Sequence, residues 1–250
     1  MPKISNSRRD KIGLALSGGG VRGIAHIGVW KALSESGVEP SFISGTSAGS
    51  IVGACIAAGM SWKQLKVIAH DTFWPSLLHG ETLERFCNCH LPKSFDDLKL
   101  PFAVVTSMPS KKTTVIQEGD LASAINASCS LPIIRNPVER DGLRLKDGGL
   151  TCVIPSQACR DLGAEFVIAS DVWALSAFLR RFGLGHTNSR SEHVYPKHYF
   201  RSIEQTDLLI EPKIPVHSHV PSHASIDRLI VEGETAARKA VSKIELHMIA

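Results

Sequence analysis

The sequence lacks any long apolar run. No stretch of its 250 residues approaches the roughly 18 consecutive apolar side chains that a membrane-spanning helix needs, so we predict no membrane span. The first ten residues are polar and basic, and they contain no apolar core of a signal peptide. We therefore expect a cytoplasmic protein, with peripheral contact at the inner membrane surface. We divide it into a tail over residues 1–11 and a single domain over residues 12–250.

The sequence also lacks a strong charge imbalance and a metal-binding cysteine pattern. The net charge of +4 is too small to predict nucleic-acid binding, although it is compatible with an anionic lipid surface. The six cysteines are scattered, mostly within apolar segments, and are interpreted as free thiols of a reducing compartment. Cys87, Cys89 and His90 lack the C-x-x-C spacing and a second ligand pair, so we predict no metal site.

Short apolar runs alternate with helical patterns along most of the chain. The apolar fraction of 43% is enough for one sizeable core. The apolar runs predict strands, and apolar residues three and four apart predict the helices between them. This order is typical of a mostly parallel sheet covered by helices on both faces. The predicted strands are 11–16, 42–43, 102–106, 113–116, 165–170 and 207–210, with a hairpin over 137–146. The predicted helices are 24–36, one opened by a capping box of Ser61 and Gln64, 82–91, 121–130, 155–162 and 225–248.

A G-x-S-x-G pattern at residues 45–49 lies between a predicted strand and a predicted helix. This pattern is typical of a nucleophile elbow, a sharp turn that exposes the central serine, here Ser47. Gly45 and Gly49 leave room for the backbones to pass each other. A helix N-terminus beside Ser47 would offer free N–H groups and partial positive charge to an oxyanion. The alternative interpretation is a tight strand-to-helix turn without chemistry.

A glycine-rich loop at residues 18–23 follows the first predicted strand and allows two functional interpretations. Its G-x-G-x-x-G spacing matches a dinucleotide-binding fingerprint, but the second strand does not end in the acid that binds the ribose. Glu39 lies before that strand, and no Lys-Ser or Lys-Thr pair follows the loop as a P-loop requires. The second interpretation is an oxyanion hole, since successive glycines expose backbone N–H groups. A simple tight turn is the third.

A serine nucleophile needs a base, and the sequence offers two kinds. By chain order alone, His217, His219 or His223 would complete a triad of the α/β-hydrolase type. The other candidate is Asp147, which ends an apolar strand and is followed by two glycines. An Asp-Gly-Gly sequence on its own is more often a turn than a site.

Together these segments resemble the patatin-like phospholipases. The resemblance rests on residues 18–23, 45–49 and 147–149, on their order, and on the spacing of about 100 residues between serine and aspartate. Residues 24–29 and 127–132 are similar to bacterial members, and the likeness extends over residues 12–245. The family implies a three-layer α/β/α fold with a mostly parallel sheet, related to cytosolic phospholipase A2.

The resemblance also assigns roles to residues. It implies a Ser–Asp dyad without histidine, with Ser47 as nucleophile, Asp147 as base, and no metal or organic cofactor. The implied oxyanion hole consists of Gly18, Gly19 and Gly20, with Arg22 beside them. The implied motif-supporting residues are Gly23, Gly45, Gly49, Gly148 and Gly149.

We therefore predict a serine acyl hydrolase that cleaves fatty-acyl esters of lipids or phospholipids. The alternatives are an esterase with a Ser-His-Asp triad and a non-enzymatic regulator that binds a dinucleotide or another anion. Residues 173–184 combine large apolar side chains with two arginines, and we predict that they contact the lipid surface. A helix packed on the sheet, or a dimer contact, is the alternative for this segment.

Overall fold

The computed structural model describes residues 11–132, 134–173, 196–214 and 222–247. Within these ranges the chain forms eight strands. They are β1 (Ile12–Leu16), β2 (Phe42–Thr46), β3 (Phe102–Ser107), β4 (Thr113–Ile116), β5 (Val138–Arg140), β6 (Leu143–Asp147), β7 (Phe166–Ser170) and β8 (Leu208–Ile210).

Helices connect most of these strands. In the described ranges the α-helices are α1 (Ala25–Glu35), α2 (Ala48–Ala57), α3 (Trp62–Asp71), α4 (Gly80–His90), α5 (Leu121–Ser128), α6 (Ser156–Asp161), α7 (Lys197–Glu204) and α8 (His223–His247). Short 3-10 segments cover Gly20–Ile24, Trp74–Leu78, Phe95–Asp97 and Gly148–Leu150. The predicted capping box opens α3, because the Ser61 side chain accepts from the Gln64 N–H and Gln64 reaches back.

The sheet has the order β5-β6-β3-β2-β1-β7-β8. In the sheet, the neighbouring strands β3, β2, β1, β7 and β8 are all parallel to each other. In contrast, β4 and β6 pair with β3 in antiparallel orientation. Parallel strands point the same way, so β1, β2, β3 and β7 end at one edge of the sheet, and the loops that follow them meet there. The predicted mostly parallel sheet is confirmed.

Side chains of the central strands alternate between two helical layers. Leu14 and Leu16 of β1 lie in the core beneath α1, α2, α5 and α8. Ala15, between them, belongs to a second core formed with α6 and α7. Ala103 and Ala169 repeat this small side chain on the same second face. Both faces are therefore covered, as predicted, and the second face holds its helices close to the backbone of the sheet.

The first and last helices, α1 and α8, are in direct backbone contact. A Cβ on Gly28 would lie 1.8 Å from the Ile230 carbonyl oxygen, and one on Gly233 would lie 1.9 Å from that of Ala25. The absence of a side chain at both positions is therefore a packing requirement. This contact closes the layer that covers β1.

Some predicted boundaries shift, and some elements were not predicted. The predicted helix 24–36 is preceded by a 3-10 turn, because the glycine-rich loop winds directly into it. Helix α7 spans only eight residues and the 3-10 segments three to five, which is too short for a periodic pattern to show, so the sequence did not reveal them. Residues 1–10 of the predicted tail lie outside the described residues. No helix in the described part of the chain is long and apolar enough to span a bilayer.

We expect Gly28→Ala to destabilise the fold by about 3 kcal/mol, because the added methyl group forces the backbones of α1 and α8 apart. Urea unfolding followed by circular dichroism measures this loss. Val231→Ala is the control, since this side chain lies on α8 but is exposed, and it should change stability by less than about 0.5 kcal/mol. Equal stability of Gly28→Ala and the parent would contradict the described contact.

Candidate active site

Ser47 lies at the turn between β2 and α2 in a strained backbone conformation. Its φ of 51° and ψ of −123° are rare for a residue with a side chain. Close packing maintains this turn. A Cβ on Gly45 would lie 2.5 Å from the Gly49 carbonyl oxygen, and one on Gly49 would lie 2.2 Å from that of Leu16. The two glycines of the G-x-S-x-G pattern thus permit the sharp turn that presents the serine.

The Ser47 hydroxyl donates to the Asp147 carboxylate, with 2.8 Å between Oγ and Oδ2. The other carboxylate oxygen, Oδ1, accepts from the Gly149 N–H at 2.8 Å. The Ser107 hydroxyl donates to the Asp147 backbone carbonyl at 2.8 Å and fixes the end of β6 against β3. A Cβ on Gly148 would lie 2.2 Å from the Val105 carbonyl oxygen, so this position also needs glycine. The structure brings together two side chains that are 100 residues apart in the sequence.

Burial controls the protonation of Asp147, which is only 4% exposed. Desolvation raises the pKa of this carboxyl from its ordinary value of 3.8 to about 6. The hydrogen bonds from Ser47 and Gly149 and the positive charge of Arg135 act in the opposite direction and are weaker. A carboxylate with a pKa near neutrality is a better proton acceptor than an ordinary aspartate.

A second serine, Ser128, supports the turn and was not singled out from the sequence. Its hydroxyl donates to the Val105 carbonyl at 2.6 Å and accepts from the Ser47 N–H at 2.8 Å. The backbone of the elbow is therefore tied to β3 through α5. Cys129, the next residue, is a weak nucleophile because burial raises the pKa of its thiol to about 12.

The glycine-rich loop lies beside Ser47, where a Cβ on Gly18 would be 3.3 Å from the Ser47 Cβ. The Gly18 N–H donates to the Val153 carbonyl at 3.1 Å, so this donor is already used. Within the described ranges, the Gly19 and Gly20 N–H groups have no such partner. Gly20 has a φ of 58° and opens the 3-10 turn. Its conformation directs the backbone into the helix that follows.

Arg22 is buried near this loop without compensating contacts. The side chain is 8% exposed, and its Nε has no hydrogen-bond partner among the residues that the structure describes. Desolvation lowers the pKa of the guanidinium, and no carboxylate lies within 4.0 Å of it among the described residues. A buried cation without a partner is costly, and an anion beside it would reduce that cost.

His26 is buried beneath the loop and connects the ends of β1 and β7. Its Nε2 lies 3.0 Å from the Ser17 carbonyl oxygen, which can only accept, so Nε2 carries the proton. Nδ1 then accepts from the Ser170 hydroxyl at 2.8 Å. Desolvation lowers the pKa of His26 to about 4, which keeps the ring neutral. With both ring nitrogens engaged, His26 is a structural support and not a base for Ser47.

The other histidine candidates do not reach the pair in the described structure. His223 packs edge-on against His70, with 5.0 Å between ring centroids, at the start of α8. No histidine in the described ranges hydrogen-bonds with Ser47 or Asp147. The two remaining candidates, His217 and His219, lie outside the described residues.

Most of the predicted lipid-contact segment, residues 174–184, also lies outside the described residues. Its first residue, Trp173, stacks on Tyr199 with 5.8 Å between ring centroids and packs against the second core. No group of three His, Cys, Asp or Glu side chains suited to a metal ion occurs in the described part of the chain.

The comparison with family sequence models matches residues 14–157 to the patatin-like phospholipases. The chain belongs to the patatin-like phospholipase family. Patatin-like phospholipase domain-containing protein 7 of Rattus norvegicus is 33% identical over 183 residues. That alignment covers 65% of this chain and only 14% of the relative, so the chain spans about a seventh of that protein.

Solved structures show that this member of the patatin-like phospholipase family has the expected fold. VipD from Legionella pneumophila superimposes with a TM-score of 0.59 at 15% identity, over 94% of this chain and 67% of VipD. Human group IVD cytosolic phospholipase A2, solved with methyl gamma-linolenyl fluorophosphonate and terbium chloride, superimposes with a TM-score of 0.56 at 11% identity. This superposition covers 99% of this chain and 60% of the phospholipase. The predicted three-layer fold, similar to that of cytosolic phospholipase A2, is confirmed.

The raised pKa of Asp147 links stability to pH. Above pH 6 the folded protein holds a buried carboxylate, which costs up to about 3 kcal/mol relative to the protonated form. We expect Asp147→Asn, which resembles the protonated acid, to stabilise the fold at pH 8 by up to that amount. Near pH 4 the difference should disappear, because the folded protein then carries the neutral acid. Thermal unfolding at the two pH values measures this, and an equal effect at both would contradict the raised pKa.

Proposed function

We propose that the protein is a serine acyl hydrolase that cleaves fatty-acyl ester bonds of lipids. The observation that carries the proposal is the 2.8 Å hydrogen bond from the Ser47 hydroxyl to the buried Asp147 carboxylate. An activated nucleophile requires a base within hydrogen-bonding distance of its proton, and this pair meets that condition directly. Membership of the patatin-like phospholipase family supports the same reaction class.

The pair provides both half-reactions. In the first, Ser47 Oγ attacks the ester carbonyl carbon while its proton passes to Asp147. The tetrahedral intermediate collapses, the bond to the alcohol oxygen breaks, and the alcohol leaves with the proton from Asp147. In the second, water attacks the acyl-serine ester as Asp147 removes a proton. Collapse then releases the fatty acid and returns the proton to Ser47.

The glycine-rich loop is proposed to bind the oxyanion of both intermediates. Gly19 and Gly20 contribute backbone N–H groups that have no partner in the described structure. Gly18, whose N–H is held by Val153, places the loop against Ser47. The buried guanidinium of Arg22 adds positive charge beside it. Preorganised donors of this kind stabilise charge that develops in the transition state.

This arrangement favours the dyad over the alternatives. The loop of a dinucleotide-binding protein holds a pyrophosphate, whereas here it faces the side chain of Ser47. A Ser-His-Asp triad places histidine between serine and acid, but here the serine donates to the acid itself. We infer a fatty-acyl ester of a lipid as the substrate class from the family, which includes phospholipases.

We expect Ser47→Ala to abolish ester hydrolysis and covalent labelling, because the variant lacks the attacking oxygen. A fluorophosphonate with a long acyl-like chain is the probe, and intact-protein mass spectrometry detects its attachment. Ser34→Ala is the matched control, since that hydroxyl donates to the Lys31 carbonyl in its own helix and lies away from Ser47 in the structure. Labelling of Ser47→Ala at the rate of the parent would refute the assignment.

The base assignment predicts the pH profile. Asp147 must be ionised to accept the proton, so kcat/KM should rise about tenfold per pH unit below pH 6 and level off above it. Asp147→Asn should lower kcat by roughly 10²–10⁴ and remove this dependence. His223→Ala should keep both the rate and the profile of the parent. Loss of activity in a folded histidine variant equal to that of Ser47→Ala would favour a triad.

A further inference from the structure

Large apolar side chains are exposed on both sides of Asp147 in the sequence. Leu131 follows directly on Ser130, whose carbonyl accepts from the Asp147 N–H at 3.0 Å. Ile134 lies in the same turn, since its N–H donates to the Leu131 carbonyl at 3.3 Å. Leu150 lies three residues after Asp147, at the end of the 3-10 segment. All three apolar side chains therefore project from loops anchored at the active-site edge of the sheet.

The segment before α4, residues 73–80, contacts Arg135 next to Ile134 and so lies beside these loops. The Nη2 of Arg135 lies 2.7 Å from the position that a Cβ on Gly80 would occupy, so the start of α4 packs against this side chain. Leu78 and Phe73 are exposed in the segment just before Gly80. We use the name rim for five side chains that are each 43–71% exposed: Phe73, Leu78, Leu131, Ile134 and Leu150.

Cations accompany these apolar side chains. Arg135 follows Ile134, and it donates to the Cys129 carbonyl at 3.2 Å. Lys111 and Lys112 are exposed in the turn before Thr113, whose hydroxyl lies 2.9 Å from that of Thr151, the neighbour of Leu150. Within the described ranges, no carboxylate lies within 4.0 Å of these three cations.

The acidic groups nearby do not cancel this charge. The carboxylates that act on Arg135 are those of Glu84, which accepts from the Asn126 amide, and Asp147, which is buried. Glu81, in the first turn of α4, and Asp71, two residues before Phe73, are the exposed acids near this segment. Within the described ranges, three cations without a carboxylate partner outnumber these two acids, so the surface around the rim remains basic.

We propose that the rim and its three cations form the surface by which this protein docks on an anionic phospholipid bilayer. The apolar side chains enter the lipid, and Lys111, Lys112 and Arg135 pair with phosphate groups. The inference rests on the proposed function, because docking here would place Ser47 and Asp147 at the lipid interface. The proposal thus assigns the lipid contact to the rim, and not to residues 173–184 as the sequence suggested.

Unpaired charge argues for lipid over a second copy of the chain. Exposed apolar patches mark contact surfaces in general, and they do not by themselves identify the partner. A protein partner would need carboxylates placed opposite three separate cations. A lipid surface supplies mobile phosphates at any position, together with an apolar interior a few ångströms deeper. The combination of both features around an ester-hydrolysing pair fits the lipid surface.

Vesicle co-sedimentation tests the proposal without turnover. The full chain with Ser47→Ala is mixed with vesicles of phosphatidylcholine, with or without phosphatidylglycerol. We expect Leu78→Ser/Ile134→Ser to reduce the partition coefficient at least tenfold on both vesicle types. Lys111→Gln/Lys112→Gln should remove the preference for vesicles with phosphatidylglycerol and the sensitivity to salt. Val67→Ser/Val231→Ser is the matched control, because these valines are similarly exposed on α3 and α8, outside the rim.

The outcomes separate this proposal from the proposed function. Partition of the rim variant equal to that of the parent, or an equal loss in the valine control, would overturn the docking surface. Activity of the rim variant on a soluble short-chain ester, measured with Ser47 restored, should equal that of the parent. Vesicle binding through the rim without any ester hydrolysis by the parent would leave the docking surface standing and reject the hydrolase. Melting temperatures show that each variant is folded.

Discussion

The hydrogen bond between Ser47 and Asp147 sets the conditions that the surrounding structure has to meet. A carboxylate 4% exposed loses most of its hydration, and two hydrogen bonds do not fully replace it, so its pKa rises to about 6. Such a group stays in place only if its strand is held firmly. The pairing of β6 with β3 and the Ser107 hydroxyl provide that support. The free energy that burial of the carboxylate costs is also what raises its affinity for a proton.

Close backbone approach is the second condition. The elbow, the loop after β6 and the end of β1 approach within distances that exclude a Cβ at Gly45, Gly49 and Gly148. These glycines are therefore required because they leave space for the neighbouring backbone, and not because of unusual backbone angles of their own. The same edge of the sheet gathers Ser128, which links the elbow to β3, and His26, which links β1 to β7. Ser47 and the glycine-rich loop thus follow strands that are tied to each other laterally.

The sequence was sufficient for the elements whose signal is local. The strands β1, β3, β4 and β7 were predicted to within a residue, because each is a short apolar run bounded by polar or turn-forming residues. Ser47 was singled out by the G-x-S-x-G pattern and Asp147 by the two glycines that follow it, and the structure joins the two side chains by a hydrogen bond. The hydrogen bond of Gly18 with Val153 and the support from Ser128 were not found, since both depend on partners distant in the sequence. The structural role of His26 was not found either, because it depends on two buried contacts with Ser17 and Ser170.

The backbone contact between α1 and α8 has a consequence for the order of folding. β1 and α1 are synthesised before β7 and α8, yet β1 is complete only when β7 joins it, and α1 is fully covered only when α8 packs against it. β2 pairs with one edge of β1 early, but β7 on its other edge and α8 against α1 lie more than 150 residues further along the chain, so long loops must close before these surfaces are buried. In a nascent chain, the face of α1 that α8 covers in the folded protein therefore stays exposed until α8 has left the ribosome. During that interval the chain is vulnerable to aggregation, and this is the stage at which a chaperone would act.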